Sequence, residues 1–332
     1  MQIAAVGGIT FALSLIVVLY STPIARKAAI YFKILDFPDG KLKNQKQAVP
    51  YLGGISIYAA VLISSASLLR FDTDILGILL SGSILMLVGI LDDLKALTPI
   101  IKLGGQIFAC FVIVKADIFI DVVSLPWWIN FPLTILWVLT IINTFNIIDV
   151  MDGLCITVTF FSSLFIAALA FLAGQNILGM LALSLCAAAF GFFWFNKPPA
   201  KIYLGDAGSM LVGLFIAAMA MSVRYTYHSN LGLIAPVVVL GVPIFELVLV
   251  VIIRTLNKKP FYLGSPDHFS LRLKKLGINN WWILFIVSLV SILLGIGSII
   301  IVLGSATTGI VTAGLIVVMM LIAGVLLSMV KV

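Results

Sequence analysis

The chain has 332 residues, of which 62% are hydrophobic and only 10% are charged. Its mean hydropathy is +1.25, and its apolar runs exceed what a single core could cover, so the composition excludes a soluble globular protein. The net charge is +7, from 20 basic and 13 acidic residues.

Long apolar segments recur along the whole chain and predict its fold. A helix needs about 20 apolar residues to cross a hydrocarbon core of about 30 Å. By this rule the sequence predicts an all-α polytopic membrane protein with about 11 transmembrane helices, which form a single domain over residues 1–332. The first span has no small-residue cleavage site, so we expect it to be retained. The predicted spans are roughly 3–20, 51–69, 75–91, 100–116, 131–148, 153–174, 177–195, 207–223, 231–253, 282–303 and 307–330.

The basic residues predict the orientation. When the spans are threaded alternately from an outside N-terminus, only Arg70, Lys115 and Arg224 of the 20 basic residues fall on the outer side. The positive-inside rule then makes the basic side cytoplasmic and puts the C-terminus there as well. This charge suits a surface that works beside anionic lipids and phosphorylated substrates in the inner membrane, and does not indicate a nucleic-acid binder.

The first inner loop, residues 21–50, ends in Lys46 and Pro50 before the second span opens with Gly53 and Gly54. Most of its basic residues fit a solvated cytoplasmic loop. Lys46 has two equal interpretations, because the following glycines would let a substrate approach the backbone closely. It is either a solvated residue or a phosphate ligand.

Asp92 and Asp93 end the third span on the inner side. Adjacent carboxylates repel each other, so one of them should hold a proton unless a cation lies nearby. Acidic residues at a helix C-terminus also oppose the helix dipole, which makes a purely structural role less favourable. We therefore interpret the pair as functional.

The stretch from Asn143 to Leu154 brings two asparagines and two carboxylates to the end of an unbroken apolar run. If the segment is helical, Asn143, Asn146, Asp149 and Asp152 recur every three residues and lie on one face. Unpaired polar groups in an apolar setting cost several kcal/mol, so this face predicts a substrate or ion site.

Asp206 lies between Gly205 and Gly208, after a double proline on the inner side. The residue could be a helix N-cap. The flanking glycines suggest instead a close approach of the backbone to a ligand, and a single carboxylate suits Mg²⁺, which takes phosphate oxygens and water as further ligands.

Two further candidate residues are Glu246 and His268. Glu246 lies inside the ninth span, where we expect a kink at Pro243 and a structural or supporting role for the acid. His268, in the last inner loop, precedes a basic cluster that suits phosphate. Carboxylates, amides and bases from four distant segments thus lie at the same membrane face. Such a cluster is typical of a metal-assisted phosphate site.

These motifs, in their order and spacing, resemble the polyprenyl-phosphate N-acetylhexosamine-1-phosphate transferase family over about residues 20–280, with two further helices at 282–330. The similar motifs are Asp92-Asp93, the run Asn146 to Leu154, Gly205-Asp206-Ala-Gly208-Ser209, Pro50 with Gly53-Gly54, and His268 with Arg272. The chain departs from the family pattern at Val150 for glycine, Tyr51 for arginine, and Ser270 and Leu271 for loop histidines.

The resemblance implies an enzyme that transfers N-acetylhexosamine 1-phosphate, with N-acetylglucosamine as the favoured sugar, from a UDP-sugar to undecaprenyl or another polyprenyl phosphate. The implied cofactor is Mg²⁺, with Mn²⁺ as the other metal, and a homodimer is allowed. Asp206 would hold the metal, and Asp92 and Asp93 would deprotonate or position the lipid phosphate. Asn143, Asn146 and Asp149 would bind the uridine or its phosphates with support from Asp152, and His268, Arg272 and Lys46 would bind the diphosphate or sugar.

Three other functions compete with this interpretation. A secondary transporter would place its charges near the bilayer midplane and often shows inverted repeats, whereas these carboxylates lie at span ends. The muramoyl-pentapeptide transferase of peptidoglycan synthesis belongs to the same family. A transferase of CDP-alcohols would need Ala-Arg after Asp-Gly, where this chain has Leu154 and Cys155.

Overall fold

The computed structural model describes residues 2–37, 47–68, 72–120, 125–260 and 265–330. These residues form helices almost throughout, as the apolar runs predict, with one two-stranded ladder. The elements are α1 Gln2–Tyr31, β1 Leu35–Asp36, β2 Val49–Pro50, α2 Gly53–Leu68, α3 Thr73–Lys95, α4 Pro99–Lys115, α5 Trp127–Ile148, α6 Leu154–Leu172, α7 Asn176–Asn196, α8 Gly205–Ser222, α9 Ala235–Val239, α10 Gly241–Leu256, α11 Phe269–Lys275, α12 Asn280–Leu303 and α13 Ala306–Ser328. Two short 3-10 helices, Tyr225–Tyr227 and Asn230–Ile234, precede α9.

Eight of the described helices are long and apolar enough to span a membrane, and a bent pair makes a ninth candidate. The all-α polytopic membrane class is therefore confirmed. Each of the predicted spans corresponds to a helix or a helix pair, but α2 and α4 are shorter, with 16 and 17 residues. The bent pair turns through 71° between Val239 and Gly241. The expected kink at Pro243 was thus wrong by a few residues, because the chain breaks at Leu240 and Pro243 lies in the first turn of α10.

The core is organised around α8, which is the most deeply buried candidate span and packs against α2, α3 and α5. Small residues allow this close packing. A Cβ on Gly89 of α3 would lie 2.2 Å from the Cα of Ala207, and one on Gly54 would lie 2.4 Å from the Cα of Gly208. These contacts press the N-terminus of α8 against the C-terminus of α3. At the periphery, α13 has an apolar surface with no buried residue in its spanning window.

Several helix ends meet at one end of the bundle, among them the C-termini of α3, α5 and α7 and the N-termini of α4, α6, α8 and α12. The ladder of β1 and β2 lies at the same end, where Leu35 pairs with Pro50. The chain after β2 is bonded to the segment before α8, because Gly53 donates to the carbonyl of Tyr203 and Tyr203 donates to that of Pro50. The polar residues at these helix ends are thereby brought together.

Candidate active site

A cavity of about 930 Å³ opens where these helix ends meet. Its wall includes most of the residues that the sequence singled out: Asp92, Asp93, Asn146, Asp149, Asp152, Asp206 and His268. They come from four segments distant in sequence. The predicted convergence of these side chains at one end of the bundle is therefore observed. A second cavity, of about 390 Å³ near Asp72 and Asp74 at the other helix ends, contains none of them.

Lys102, in the first turn of α4, lies at the centre of the charged cluster. Its Nζ is 2.8 Å from Oδ2 of Asp92 and 2.8 Å from Oδ2 of Asp206. It also donates to Oδ1 of Asn146 at 3.3 Å. Asn146 in turn donates to Oδ1 of Asp206 at 2.6 Å and to Ser209 Oγ at 2.9 Å. One ammonium group thus bridges two carboxylates and offsets part of the repulsion between them.

Asp92 and Asp93 point in different directions, because consecutive helical residues are about 100° apart. Asp92 accepts from the backbone N–H of Leu97 and pairs with Lys102. Asp93 accepts instead from the backbone N–H groups of Asp206 and Ala207, at 2.9 and 3.3 Å. Asp93 therefore caps the N-terminus of α8, where a negative charge is favourable, and fixes the backbone that carries Asp206.

A glycine is required where Asp93 meets α8. Gly205 has φ of +76°, and a Cβ there would lie 2.7 Å from the Asp93 carboxylate. Both the backbone conformation and the space exclude a larger side chain. The alternative that Asp206 is itself the N-cap is wrong, since it lies inside the helix and Asp93 accepts its N–H.

The segment from Asn143 to Asp152 is not one continuous helix. Helix α5 ends at Ile148, and α6 begins after Gly153, which has φ of +78°. The predicted single helical face was therefore wrong beyond Asn146, although Asp149 and Asp152 reach the same cavity from the turn between the helices. Asn143 lies one turn deeper than Asn146 and is not part of the cavity wall.

Asn143 instead forms hydrogen bonds with the buried side chain of Gln106. It donates from Nδ2 to Oε1 of Gln106 at 2.8 Å, and Gln106 donates back to Oδ1 of Asn143 at 3.3 Å. Gln106 lies one turn after Lys102 on α4. The amide pair thus ties α4 to α5 immediately beneath the charged cluster, and it holds Lys102 and Asn146 in register.

The turn between α5 and α6 carries carboxyl groups with perturbed acidity. Burial, reinforced by the charges of Asp206, Asp93 and Asp152, raises the pKa of Asp149 to about 8. Burial also raises the pKa of Asp152, opposed by the backbone N–H of Ala200 and by Lys274. Burial lowers the pKa of Lys274, while Asp152 opposes the shift. Burial in the cavity thus destabilises the charged forms of these side chains until a ligand of opposite charge binds.

The segment between α10 and α12 also lines the cavity, through Ser265, His268, Leu271 and Lys274. His268 Nδ1 is 2.6 Å from Oε1 of the buried Glu246. Arg272, which the sequence predicted as a diphosphate ligand, is not part of the cavity wall. It is buried, pairs with Asp267 at 3.1 Å, and donates to the carbonyls of Leu327 and Val330 at the end of α13.

Two tyrosines from distant parts of the chain form another part of the cavity wall. Tyr51 and Tyr203 both line the cavity, with ring centroids 6.4 Å apart, and Tyr51 donates to Oδ1 of Asp36 at 2.7 Å. Burial raises the pKa of both tyrosines, so they remain neutral donors. Lys46 lies outside the residues that the structure describes.

The oxygen ligands that this cluster offers can be compared with those that a divalent cation prefers. Asp92 and Asp206 offer carboxylate oxygens around one positive centre, which is the ligand type that Mg²⁺ prefers. Within the described ranges, no three acidic, histidine or cysteine side chains are arranged to hold a metal. The cluster fits an ion held by one or two carboxylates and completed by phosphate oxygens and water, as Mg²⁺ usually is. Asp206 has the more accessible carboxylate, with 38% of its side chain exposed.

Several site residues were not predicted as such. The sequence predicts Lys102 only as one of the basic residues on the inner side. A lysine followed four residues later by Gln106 in an apolar run is nevertheless a signal for one polar helix face. Tyr203 gave no comparable signal, since its position depends on how distant segments pack. Lys274 belongs to the basic cluster after His268, which the sequence predicted to suit phosphate, and it lines the cavity.

Comparison with known proteins agrees with the motifs. Residues 75–224 match the model of glycosyl transferase family 4. The chain is 31% identical over 308 residues to a probable undecaprenyl-phosphate N-acetylglucosaminyl 1-phosphate transferase of Bacillus subtilis. The alignment covers 90% of this chain and 85% of that protein. It is 32% identical over 236 residues, 71% of this chain and 70% of the relative, to an undecaprenyl-phosphate alpha-N-acetylglucosaminyl 1-phosphate transferase of Thermotoga maritima.

A more distant relative is a phospho-N-acetylmuramoyl-pentapeptide-transferase of Heliobacterium modesticaldum, 28% identical over 205 residues, which are 54% of this chain and 63% of the relative. The match to the family model includes the segments that carry Asp92, Asn146 and Asp206. The chain therefore belongs to glycosyl transferase family 4, the polyprenyl-phosphate N-acetylhexosamine-1-phosphate transferases that its motifs resemble.

Proposed function

We propose that this protein transfers N-acetylglucosamine 1-phosphate from UDP-N-acetylglucosamine to undecaprenyl phosphate or a related polyprenyl phosphate and releases UMP. The product, a lipid-linked amino sugar, would start a cell-envelope glycan. The observation that carries the proposal is the cluster of Asp92, Asn146 and Asp206 around Lys102, in a polar cavity at one end of a membrane bundle. The relatives named as N-acetylglucosaminyl 1-phosphate transferases support the choice of sugar.

The location of the cavity suits a reaction between a soluble and a lipidic substrate. A polyprenyl tail can stay in the bilayer while its phosphate reaches the helix ends, and the nucleotide can enter from water. Two anionic phosphates must then approach each other, which requires positive charge at the meeting point. Lys102 supplies such a charge, and it can exchange a carboxylate partner for a phosphate oxygen when the substrates bind.

The reaction exchanges one phosphorus–oxygen bond for another. An oxygen of the lipid phosphate forms a bond to the β-phosphorus of the donor, and the bond from that phosphorus to the bridging oxygen breaks, so UMP leaves with the electron pair. Asp92 positions the lipid phosphate or accepts its proton. Asp93 holds α8 and hence Asp206, as the two backbone contacts of its carboxylate favour.

The remaining polar residues bind and orient the donor. Asn146 and Asp149 hold the uridine or its phosphates, supported by Asp152. The neutral form of Asp149, which its pKa of about 8 favours at pH 7, can both donate and accept a hydrogen bond. His268 and Lys274 face the donor diphosphate or sugar from the last inner loop. Lys46 would bind the diphosphate or sugar, as the resemblance implies, and a solvated lysine is its equal alternative.

Mg²⁺, or Mn²⁺ in its place, would be held by Asp206 with Asp92. When bound, the ion neutralises charge on the donor diphosphate and makes it more susceptible to attack. Asn146 orients Asp206 for this task through its 2.6 Å hydrogen bond.

We propose that all predicted spans cross the membrane, including the short helices α2 and α4, and that they form one domain over residues 1–332. The cavity end of the bundle would face the cytoplasm. The basic residues Lys95, Lys197, Lys201 and Lys275 belong to segments at the cavity end, and Lys115 ends α4 at the other. The positive-inside rule supports this orientation.

The experiment that tests the function is an exchange assay with purified protein, undecaprenyl phosphate, Mg²⁺ and a panel of UDP-sugars. UDP-N-acetylglucosamine should yield a lipid product with the mass of polyprenyl-diphospho-N-acetylglucosamine and one UMP per product, and EDTA should abolish both. A product formed only from UDP-muramoyl-pentapeptide would move the protein to the peptidoglycan branch. Uptake of labelled UDP-sugar into vesicles without bond exchange would establish a transporter instead.

A further inference from the structure

Glu246 is a fully buried acid that the proposed reaction does not use. It lies in α10, shortly after the 71° bend, and none of its surface is exposed. Its Oε1 lies 2.6 Å from Nδ1 of His268, and its Oε2 accepts from the backbone N–H of Phe269 at 3.0 Å. Both oxygens of the carboxylate therefore hold the beginning of α11, where the last inner loop reaches the cavity.

The contact determines which nitrogen of His268 is available. When the Glu246 carboxylate is ionised it can only accept hydrogen bonds, and Nδ1 then carries the proton of the 2.6 Å contact. The ring is then either the neutral Nδ1–H form or the doubly protonated form. In both forms Nε2 remains the ring nitrogen that a ligand in the cavity can contact, because His268 lines that cavity.

We propose that Glu246 is a positioning residue that fixes the orientation and the proton position of the His268 ring, so that Nε2 is presented to the phosphates of the donor. This inference deepens the proposed function and rests on it for its kinetic consequence. The proton position itself is a property of the free protein.

The loop has a second anchor that does not involve the ring. Arg254, on the same helix α10, pairs with Asp267 at 3.2 Å and donates to the carbonyl of Pro260 at 2.8 Å. A variant at Arg254 therefore perturbs the attachment of the loop, whereas a variant at Glu246 also perturbs the ring. Comparing the variants at Glu246 and Arg254 therefore separates the positioning of the His268 ring from general support of the loop.

The first arm of the test is spectroscopic. The chain has two histidines, and His228 is exposed in the loop after α8. In the protein with His228→Gln, selective ¹⁵N-histidine labelling reports His268 alone. We expect Nδ1 to carry a proton at pH 8.5. In Glu246→Gln one of the two carboxylate oxygen positions becomes an NH2 group, which donates and cannot accept from Nδ1, so the Nε2–H form should gain population. An unprotonated Nδ1 in the protein with Glu246 intact would overturn the proposal.

The second arm is a double-mutant cycle on kcat/KM for UDP-N-acetylglucosamine. Glu246→Gln should lower kcat/KM about 10- to 100-fold, by analogy with the loss of a partner that orients a metal-bound histidine. In the His268→Gln background the same change should cost less than about twofold, because the ring it acts on is gone. The loss caused by Arg254→Gln should instead remain in full in that background. Equal losses for Glu246→Gln in both backgrounds would overturn the proposal.

The two arms separate failure of this inference from failure of the proposed function. A protein that forms no lipid product with any UDP-sugar contradicts the function, and the ¹⁵N spectrum then still decides the position of the ring proton. If Glu246→Gln does not fold, Glu246→Asp provides the second variant, because it keeps a carboxylate acceptor. It should retain the proton on Nδ1 and part of the activity, and loss of the Nδ1 proton in this variant would contradict the proposal.

Discussion

Replacing Lys102 with methionine removes an ammonium group that lies 2.8 Å from both Asp92 and Asp206 and keeps the length of the side chain. The remaining carboxylates face each other without a cation. Breaking a buried ion pair costs about 3–5 kcal/mol, and the exposure of 38% of the Asp206 side chain screens part of this. We therefore expect a loss of about 2 kcal/mol in stability.

The effect of Lys102→Met on catalysis should be larger than its effect on stability. A preorganised donor to a developing negative charge contributes about 10²- to 10³-fold to kcat, or about 2.7–4 kcal/mol. We expect a decrease in kcat of this size in the UMP-release assay with saturating Mg²⁺. Lys275→Met is the matched control, because Lys275 is exposed, lies at the same end of the bundle and does not line the cavity. A Lys102→Met enzyme that retains kcat within about threefold would refute the central role of this lysine.

Three further variants test separate parts of the site. A carboxyl whose pKa is raised to about 8 in the folded protein is protonated there and ionised in the unfolded chain, so it makes stability fall as the pH rises from about 4 to 8. Asp149→Asn should therefore raise Tm more at pH 8.5 than at pH 6, measured by thermal unfolding in EDTA. Gly205→Ala should lower both Tm and kcat, with a stability cost of at least about 1–2 kcal/mol, because φ of +76° and the Asp93 carboxylate both oppose a Cβ. Arg272→Lys should lower Tm but change KM for the UDP-sugar less than about twofold, since Arg272 contacts Asp267 and the end of α13 and does not line the cavity.

Each of these expectations has a clear contrary result. An equal Tm difference between Asp149→Asn and the parent at both pH values would contradict the raised pKa. Gly104→Ala is the control for Gly205→Ala, because a Cβ at Gly104 meets no atom within 4 Å. Equal effects at the two positions would show that the close approach of Asp93 is unimportant. A large increase in KM with an unchanged Tm in Arg272→Lys would restore the diphosphate-binding role predicted from the sequence.

The membrane class and the convergence of Asp92, Asn146 and Asp206 could be predicted from the sequence. Apolar runs specify the spans, and alternation of the spans between the two faces decides which helix ends share a face. Residues at such ends need only a common face and a close approach, which Gly54, Gly89 and Gly208 permit. The same rule predicts about 11 spans, and the described residues contain eight or nine candidate membrane spans.

What the sequence could not provide is the direction of each side chain. Asp92 and Asp93 look equivalent as neighbours, yet one faces Lys102 and the other caps α8. The same limit applies to Arg272, whose basic charge suggested phosphate but whose guanidinium is used inside the protein. The break after Ile148 also depends on tertiary packing, since the apolar pattern continues through the turn and only Gly153 marks it.

The most direct test of the account is the Mg²⁺-dependent formation of lipid product by Asp206→Asn, measured by mass spectrometry beside the parent protein. The amide keeps the size of the side chain but removes the charge that Lys102 and a divalent cation would share. We predict that the parent forms polyprenyl-diphospho-N-acetylglucosamine from UDP-N-acetylglucosamine and that Asp206→Asn forms it at least about 100-fold more slowly at every Mg²⁺ concentration. Normal Mg²⁺-dependent turnover by Asp206→Asn would contradict the account.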